Sequence, residues 1–209
     1  MSSTKRPDGI GAIVLAAGAS RRMGQNKSLL PIEGKPMIAR TVETLIDAGA
    51  QPIVVVTGHE PDVIKTAIAK LQVEFVFNPN HKTGEMLSSI KTGVASLRSR
   101  ADAFFLVLGD QPRVRTSTLE QLIDAWHASR GDVIRPTFQG THGHPILLQA
   151  RCIEPILALP DHATLNDFVR ADSTKTFDVG VDDAATVQDI DTPADYEAAT
   201  KRRDSTSAD

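Results

Sequence analysis

Arg22 and Lys27, which follow the run Leu15-Ala16-Ala17-Gly18-Ala19-Ser20, and Asp110, which closes the apolar run Phe104-Phe105-Leu106-Val107-Leu108-Gly109, are the residues best suited to polyphosphate chemistry. Small side chains let backbone N–H groups approach a phosphate or a base edge closely, and the two cations can neutralise phosphate charge. Alone, the segment could also be an ordinary glycine turn followed by solvated charges. Asp110 stands where a buried strand would end, at the carboxyl edge of an α/β sheet, and ligands bind at that edge. Mg²⁺ takes one or two protein carboxylates beside phosphate oxygens and water, so a lone aspartate suffices to anchor it. Gly109-Asp110-Gln111-Pro112 could also be a plain turn.

Asp189-Ile190-Asp191-Thr192-Pro193 offers a second acidic pair, of which only one carboxylate is expected to point into a given site. A carboxylate favoured by a helix dipole is the competing account. Asn78-Pro79-Asn80 and Gly84 to Ile90 form a polar loop that runs into a helix, with Ser88 and Ser89 in its first turns. Hydroxyls and free N–H groups there could meet a base or ribose, although capping alone would explain them. Gly143-His144-Pro145 sets a histidine in a loop, while His59 sits near another strand end and borders the base pocket at most. Trp126 falls in an amphipathic helix and reads as packing. No Ser/His/Asp or Cys/His arrangement for nucleophilic catalysis is evident.

Short, nearly unbroken apolar runs position these residues: Ile10–Ala16, Ile53–Thr57, Val73–Phe77 and Phe104–Leu108. Such runs suit strands buried on both faces, as in a parallel sheet covered by helices. Pro36–Ala48 carries Ile38, Val42, Leu45 and Ile46 on one face and stops at Gly49, while Ser117 to Glu120 has capping-box spacing. After Gly131 the pattern becomes irregular: strands near Asp132–Arg135, Pro145–Gln149 and Lys175–Val179, and short helices near Ile153–Ala158 and Leu165–Arg170, predict a mixed-direction sheet edge. Thr192 and Pro193 read as the cap and first residue of a last helix. The chain thus reads as one α/β domain over residues 10–200, with loose tails at 1–9 and 201–209.

Composition narrows the function. A net charge of −3 argues against nucleic acid or an anionic membrane as the main partner, and 41% hydrophobic residues over 209 supply one continuous core. The single cysteine, Cys152, excludes an internal disulfide, and Met1 to Gly9 lacks the apolar run of a signal peptide, so a cytoplasmic protein is expected. Gly9-Ile10-Gly11 precedes the first strand, whereas a dinucleotide-binding cluster must follow it. Gly34-Lys35 is followed by Pro36, which lacks the hydroxyl of a P-loop.

Leu15-Ala16-Ala17-Gly18, Arg22-Met23-Gly24, Lys27, Pro31 and Gly34-Lys35-Pro36 together resemble the signature of the MobA-like NTP transferases, and within them most resemble the molybdenum cofactor cytidylyltransferases. The resemblance runs from about Ile10 to Ala199. It implies a single-domain Rossmann-like nucleotidyltransferase fold, mostly parallel, with helices on both faces. It further implies nucleotide contacts at Leu15, Ala16, Ala17, Gly18, Lys27, Gly84 and Ser89, catalytic roles for Lys27, Arg22 and Asp110, Mg²⁺ at Asp110 and Asp191, and acceptor contact at His144. The implied reaction joins CTP to molybdenum-loaded molybdopterin and releases pyrophosphate, with a recipient molybdoenzyme as a further partner. CTP is favoured because the guanylyltransferase branch usually carries glycine where this chain has Ala16 or Ala17. A sugar phosphate acceptor, GTP as donor, or a non-catalytic nucleotide-binding chaperone for cofactor delivery remain alternatives.

Overall fold

The apolar runs become strands because their alternate side chains meet helices on opposite faces of a sheet. The computed structural model describes residues 9–18, 23–83, 85–129, 131–171 and 174–201. The strands are β1 (Ile10–Ala16), β2 (Pro31–Ile32), β3 (Lys35–Pro36), β4 (Ile53–Thr57), β5 (Glu74–Phe77), β6 (Ala103–Leu108), β7 (Val133–Phe138), β8 (Thr141–His142), β9 (Ile146–Gln149) and β10 (Thr176–Gly180). The helices are α1 (Met37–Asp47), α2 (Pro61–Ala67), α3 (Met86–Ser96), α4 (Thr116–Ser129), α5 (Ile153–Ala158), α6 (Leu165–Val169) and α7 (Pro193–Lys201). The main sheet runs β10-β7-β9-β6-β1-β4-β5, with β8 added to β7, while β2 and β3 form a separate hairpin.

β6, β1, β4 and β5 are mutually parallel, and β10 is parallel to β7. β9 runs antiparallel to both β6 and β7, which is the expected mixed edge. Along β1, Ala12, Val14 and Ala16 join one buried cluster with Ile38, Val42 and Leu45 of α1 and Trp126 of α4. Ile13 belongs to the opposite cluster with Ile90 and Val94 of α3 and the adjoining Leu97. Each such fully buried aliphatic side chain is worth roughly 1.5–3 kcal/mol over leaving it in water. The helix face expected at Ile90, Val94 and Leu97 is therefore the one that covers the sheet.

The start of α4 departs from expectation. The helix begins at Thr116, so Ser117 to Glu120 lies inside its first turn rather than forming a capping box. A distant carboxylate does the capping: Asp183, buried, accepts from the Arg115 N–H at 2.9 Å and the Thr118 hydroxyl at 2.7 Å. α7 keeps the expected local solution. Thr192 Oγ1 accepts from Asp195 N while Asp195 Oδ2 accepts from Thr192 N, satisfying two end donors reciprocally. A third cluster, Leu30, Ile32, Met37, Ile190 and Ala199, fastens the last helix to the β2–β3 hairpin, helped by Tyr196 Oη donating to the Pro31 carbonyl at 2.7 Å. Among the described residues no helix is long and apolar enough to cross a membrane. Residues 1–8 and 202–209, most of the two expected tails, lie outside the described residues.

Candidate active site

β1 delivers Leu15, Ala16, Ala17 and Gly18 to the carboxyl edge of the sheet, and its neighbours tie this loop from both sides. Gly109 N, just past β6, donates to the Leu15 carbonyl at 3.0 Å, and His59 N, just past β4, donates to the Ala17 carbonyl at 3.2 Å. A cleft of about 520 Å³ opens over the loop. His59 takes part through its backbone only; its side chain is not in the cleft wall.

Lys27 opens a short 3-10 turn, Lys27–Leu29, whose start is held by Asn26 Oδ1 accepting from Ser28 N at 3.3 Å. The turn aims the ammonium into the cleft, where it pairs with Asp110 Oδ2 and, at 2.7 Å, with Asp191 Oδ1. Burial alone would lower the Lys27 pKa; Asp110 and Asp191 outweigh it and hold the ammonium above its ordinary 10.5. Asp110 is buried, and its other oxygen, Oδ1, has no hydrogen-bond partner. A buried, unpartnered carboxylate oxygen is costly unless a cation meets it.

The expectation that only one of Asp189 and Asp191 could face the site is corrected here. Both line the cleft. Residues i and i+2 of an extended segment share a face, and the residue between them, Ile190, is buried in the opposite direction against the hairpin cluster. Gln111 Nε2 donates to Asp189 Oδ1 at 2.8 Å, which fixes that second carboxylate beside the Asp110 loop. Among the described residues of the cleft wall Lys27 is the only lysine or arginine, and with Asp110, Asp189, Asp191 and Glu85 also lining it the region is electronegative.

On the far side of the loop, beyond β5, Asn78 is buried and hydrogen-bonded at every side-chain position. Its Nδ2 donates to Ser88 Oγ and Ser89 Oγ, both at 2.9 Å, and its Oδ1 accepts from Asn80 N at 2.9 Å. Ser89 and His81 face the cleft. α3 therefore starts against a fixed polar post rather than in open solvent.

A second cavity, about 370 Å³, adjoins the first and shares Leu15, Glu85, Met86 and Leu108 with it. Its apolar floor includes Leu106 and Ile146, and Arg135, His142 and Arg170 stand on its wall. His142 Nε2 lies 3.1 Å from Asp178 Oδ2, and Arg135 Nε donates to Asp178 Oδ1 at 2.9 Å. His144 belongs to this cavity, not to the first. Burial pushes its pKa below the ordinary 6.5 against the pull of Asp189 and Asp110, and its enclosed Nδ1 has no partner. It arrives at the carboxyl edge because β9 runs backwards: Ile146 pairs with Leu106 near the end of β6, so the residues before Ile146 continue to the loop side.

Of the residues singled out from sequence, Leu15, Ala16, Ala17, Gly18, Lys27, Ser89, Asp110 and Asp191 meet in the first cleft and His144 stands in the second. Arg22 and Gly84 lie outside the described residues. Sequence reasoning missed His81 and undervalued Asp189. For His81 the one available cue was its place just after a strand, in the same loop as Asn78.

Residues 12–176 match the model of the MobA-like NTP transferase domain. The chain is 28% identical over 194 residues to the molybdenum cofactor cytidylyltransferase of Escherichia coli, covering 92% of this chain and 96% of that one. It is 26% identical over 205 residues to the probable molybdenum cofactor guanylyltransferase of Natranaerobius thermophilus, covering 93% and 96%. Among solved structures, Rv0371c from Mycobacterium tuberculosis superposes with a TM-score of 0.79 at 25% identity, covering 93% of this chain and 98% of that one. The same protein has been solved in complex with manganese, with a TM-score of 0.76 at 24% identity and coverage of 92% and 98%. With most of its length matched, and with the sheet and the loop after β1 arranged as described, the chain belongs to the MobA-like NTP transferases and is a nucleotidyltransferase.

Proposed function

We propose that the enzyme transfers CMP from CTP to the terminal phosphate of molybdenum-loaded molybdopterin and releases pyrophosphate. The observation that carries this reading is the meeting of Lys27, Asp110 and Asp191 beside the Leu15 to Gly18 loop, next to a second cavity able to take an acceptor. The cytidylyl assignment is supported by Ala16 and Ala17 and by the relative named as a cytidylyltransferase.

In this reading the backbone of Ala16 to Gly18 and the Ser89 hydroxyl receive the nucleoside end, and Lys27 takes triphosphate charge. Arg22 adds a second cation and Gly84 a backbone contact. Asp110, through its unpartnered oxygen, and Asp191 would hold Mg²⁺. The residues fit that ion: they are hard oxygen donors, and among the described residues no cluster of three or more metal-ligating side chains occurs, so phosphate oxygens and water complete the shell. When bound, the ion neutralises charge on the triphosphate and on departing pyrophosphate. A phosphate monoester oxygen is already anionic near neutral pH, so it attacks the α-phosphorus without a general base, and the bond to pyrophosphate breaks. The protein's task is alignment and charge neutralisation. The second cavity, with its apolar floor, Arg135 and Arg170, and His144, receives the acceptor. The product then passes to a molybdoenzyme in the cytoplasm.

Pyrophosphate release from each NTP, with Mg²⁺ and molybdopterin cofactor, tests the proposal. Turnover selective for CTP and lost in Lys27→Ala and Asp110→Ala is expected. Activity untouched by both substitutions would place the site elsewhere, and faster turnover with GTP would reverse the choice of base.

A further inference from the structure

Strand order sets a length scale across the cleft. Asp110 follows β6 and His81 follows β5, and the order β6-β1-β4-β5 separates them by three strand spacings. That is about 14 Å, enough to lay out a nucleoside triphosphate with its phosphates at Lys27 and its base at the β5 side. Gly58 makes room for His81 there. A Cβ on Gly58 would lie 2.5 Å from the His81 Cβ and 2.8 Å from the Ala17 carbonyl, so the root of the His81 side chain and the end of the β1 loop pack against the same glycine.

The ring's hydrogen-bond pattern is fixed. His81 Nδ1 lies 3.0 Å from the Asn78 carbonyl, and a carbonyl can only accept, so Nδ1 carries the proton. In the neutral ring Nε2 is then an acceptor, and among the described residues nothing donates to it. Ser89, also in the cleft wall, has its Oγ accepting from Asn78 Nδ2 at 2.9 Å, which leaves its own proton available to donate. Cytosine offers the matching edge: an amino donor at N4 next to an acceptor at N3. Uracil offers the reverse, an acceptor at O4 next to an N3–H donor. Sites whose polar groups must pair with one edge reject its inverse strongly, because the mismatch leaves buried groups unsatisfied.

We propose that His81, held by Asn78, is a specificity-determining residue that accepts the base amino group and so selects CTP over UTP. This rests on the assignment of the cleft as the NTP site. Calorimetric titration of CTP and of UTP with Mg²⁺ and no acceptor compares wild type, His81→Phe, His81→Ala and Lys27→Ala. Wild type is expected to bind CTP about tenfold or more tightly than UTP. Both His81 variants should bring the two nucleotides within about threefold of each other, mainly by losing CTP affinity, whereas a merely structural role would weaken both alike. Lys27→Ala should weaken both nucleotides and keep their ratio. An unchanged ratio in the His81 variants, or no preference in wild type, overturns the role of His81 while leaving the cleft assignment intact. Nucleotide binding indifferent to Lys27→Ala, or no binding at all, overturns the assignment beneath it.

Discussion

Replacing Lys27 by Met should destabilise the metal-free protein and, in the same stroke, make it more responsive to divalent cations. In the free enzyme the ammonium occupies the space between Asp110 and Asp191, with side-chain exposures of 19%, 12% and 32% for Lys27, Asp110 and Asp191. Fully buried pairs cost about 3–5 kcal/mol when one partner is removed, and exposed pairs less than about 1 kcal/mol. This half-buried triad lies between them, so Lys27→Met should cost about 2 kcal/mol, a fall of about 4–8 °C in Tm for a chain of this size. Thermal unfolding in chelator measures that loss. Repeating it in millimolar MgCl₂ or MnCl₂ measures the second half of the prediction: the cation takes the place Lys27 vacates, so the variant gains more from the cation than wild type does. A variant that melts with wild type in chelator, or that gains no more from the ion, would refute the view that Lys27 neutralises these carboxylates in the free enzyme.

Other consequences are smaller in scope. His144 is held below its ordinary 6.5, chiefly by burial, so below that value the unfolded chain binds a proton that the folded protein refuses. Its contribution is complete above pH 6.5 and declines as the pH falls from there toward the depressed folded value; urea unfolding of His144→Gln should show a flatter acid limb than wild type. Gly143→Ala would set a Cβ 2.3 Å from the Thr186 carbonyl oxygen, a backbone atom that no rotamer change can move. A loss of about 1–3 kcal/mol in denaturant titration, with weaker acceptor binding as the His144 loop shifts, is the expected result. Cys152 is 2% exposed and its thiol is pushed up to about 12, chiefly by burial, so a thiol reagent should label native protein at pH 8 only at the rate of unfolding.

The sequence was most legible where one local signal decides structure. β1 and β4 run over the residues their apolar character marks, because central parallel strands are buried on both faces and admit little else. Asp110 was legible for a related reason: a carboxylate directly after such a strand has nowhere to go but the sheet edge. Readings failed where a partner came from far along the chain. Ser117 to Glu120 looks like a cap, yet Asp183 outcompetes it. Lys27 and Asp191 are 164 residues apart, and nothing local reveals that Ile190 is drawn into the hairpin cluster and so turns both flanking carboxylates into the cleft. His81 had no motif of its own, since its chemistry comes from a carbonyl that fixes its tautomer.

The reversed strand β9 connects these observations. In an all-parallel sheet each strand presents only its following loop to the ligand edge, so residues just before a strand lie at the opposite edge. β9 inverts that rule at one position, between β6 and β7. Gly143-His144-Pro145, which precedes it, is thereby brought to the edge that carries the Leu15 to Gly18 loop and Asp110, and the second cavity opens against the first. In the proposed reaction the parallel half, β6-β1-β4-β5, would span the nucleotide from Asp110 to His81. The reversed strand, with the residue before it, brings Ile146 and His144 to the second cavity. A two-substrate transfer needs both sites at one edge and in contact, and reversing β9 sets two adjoining cavities at that edge, as the proposed reaction requires.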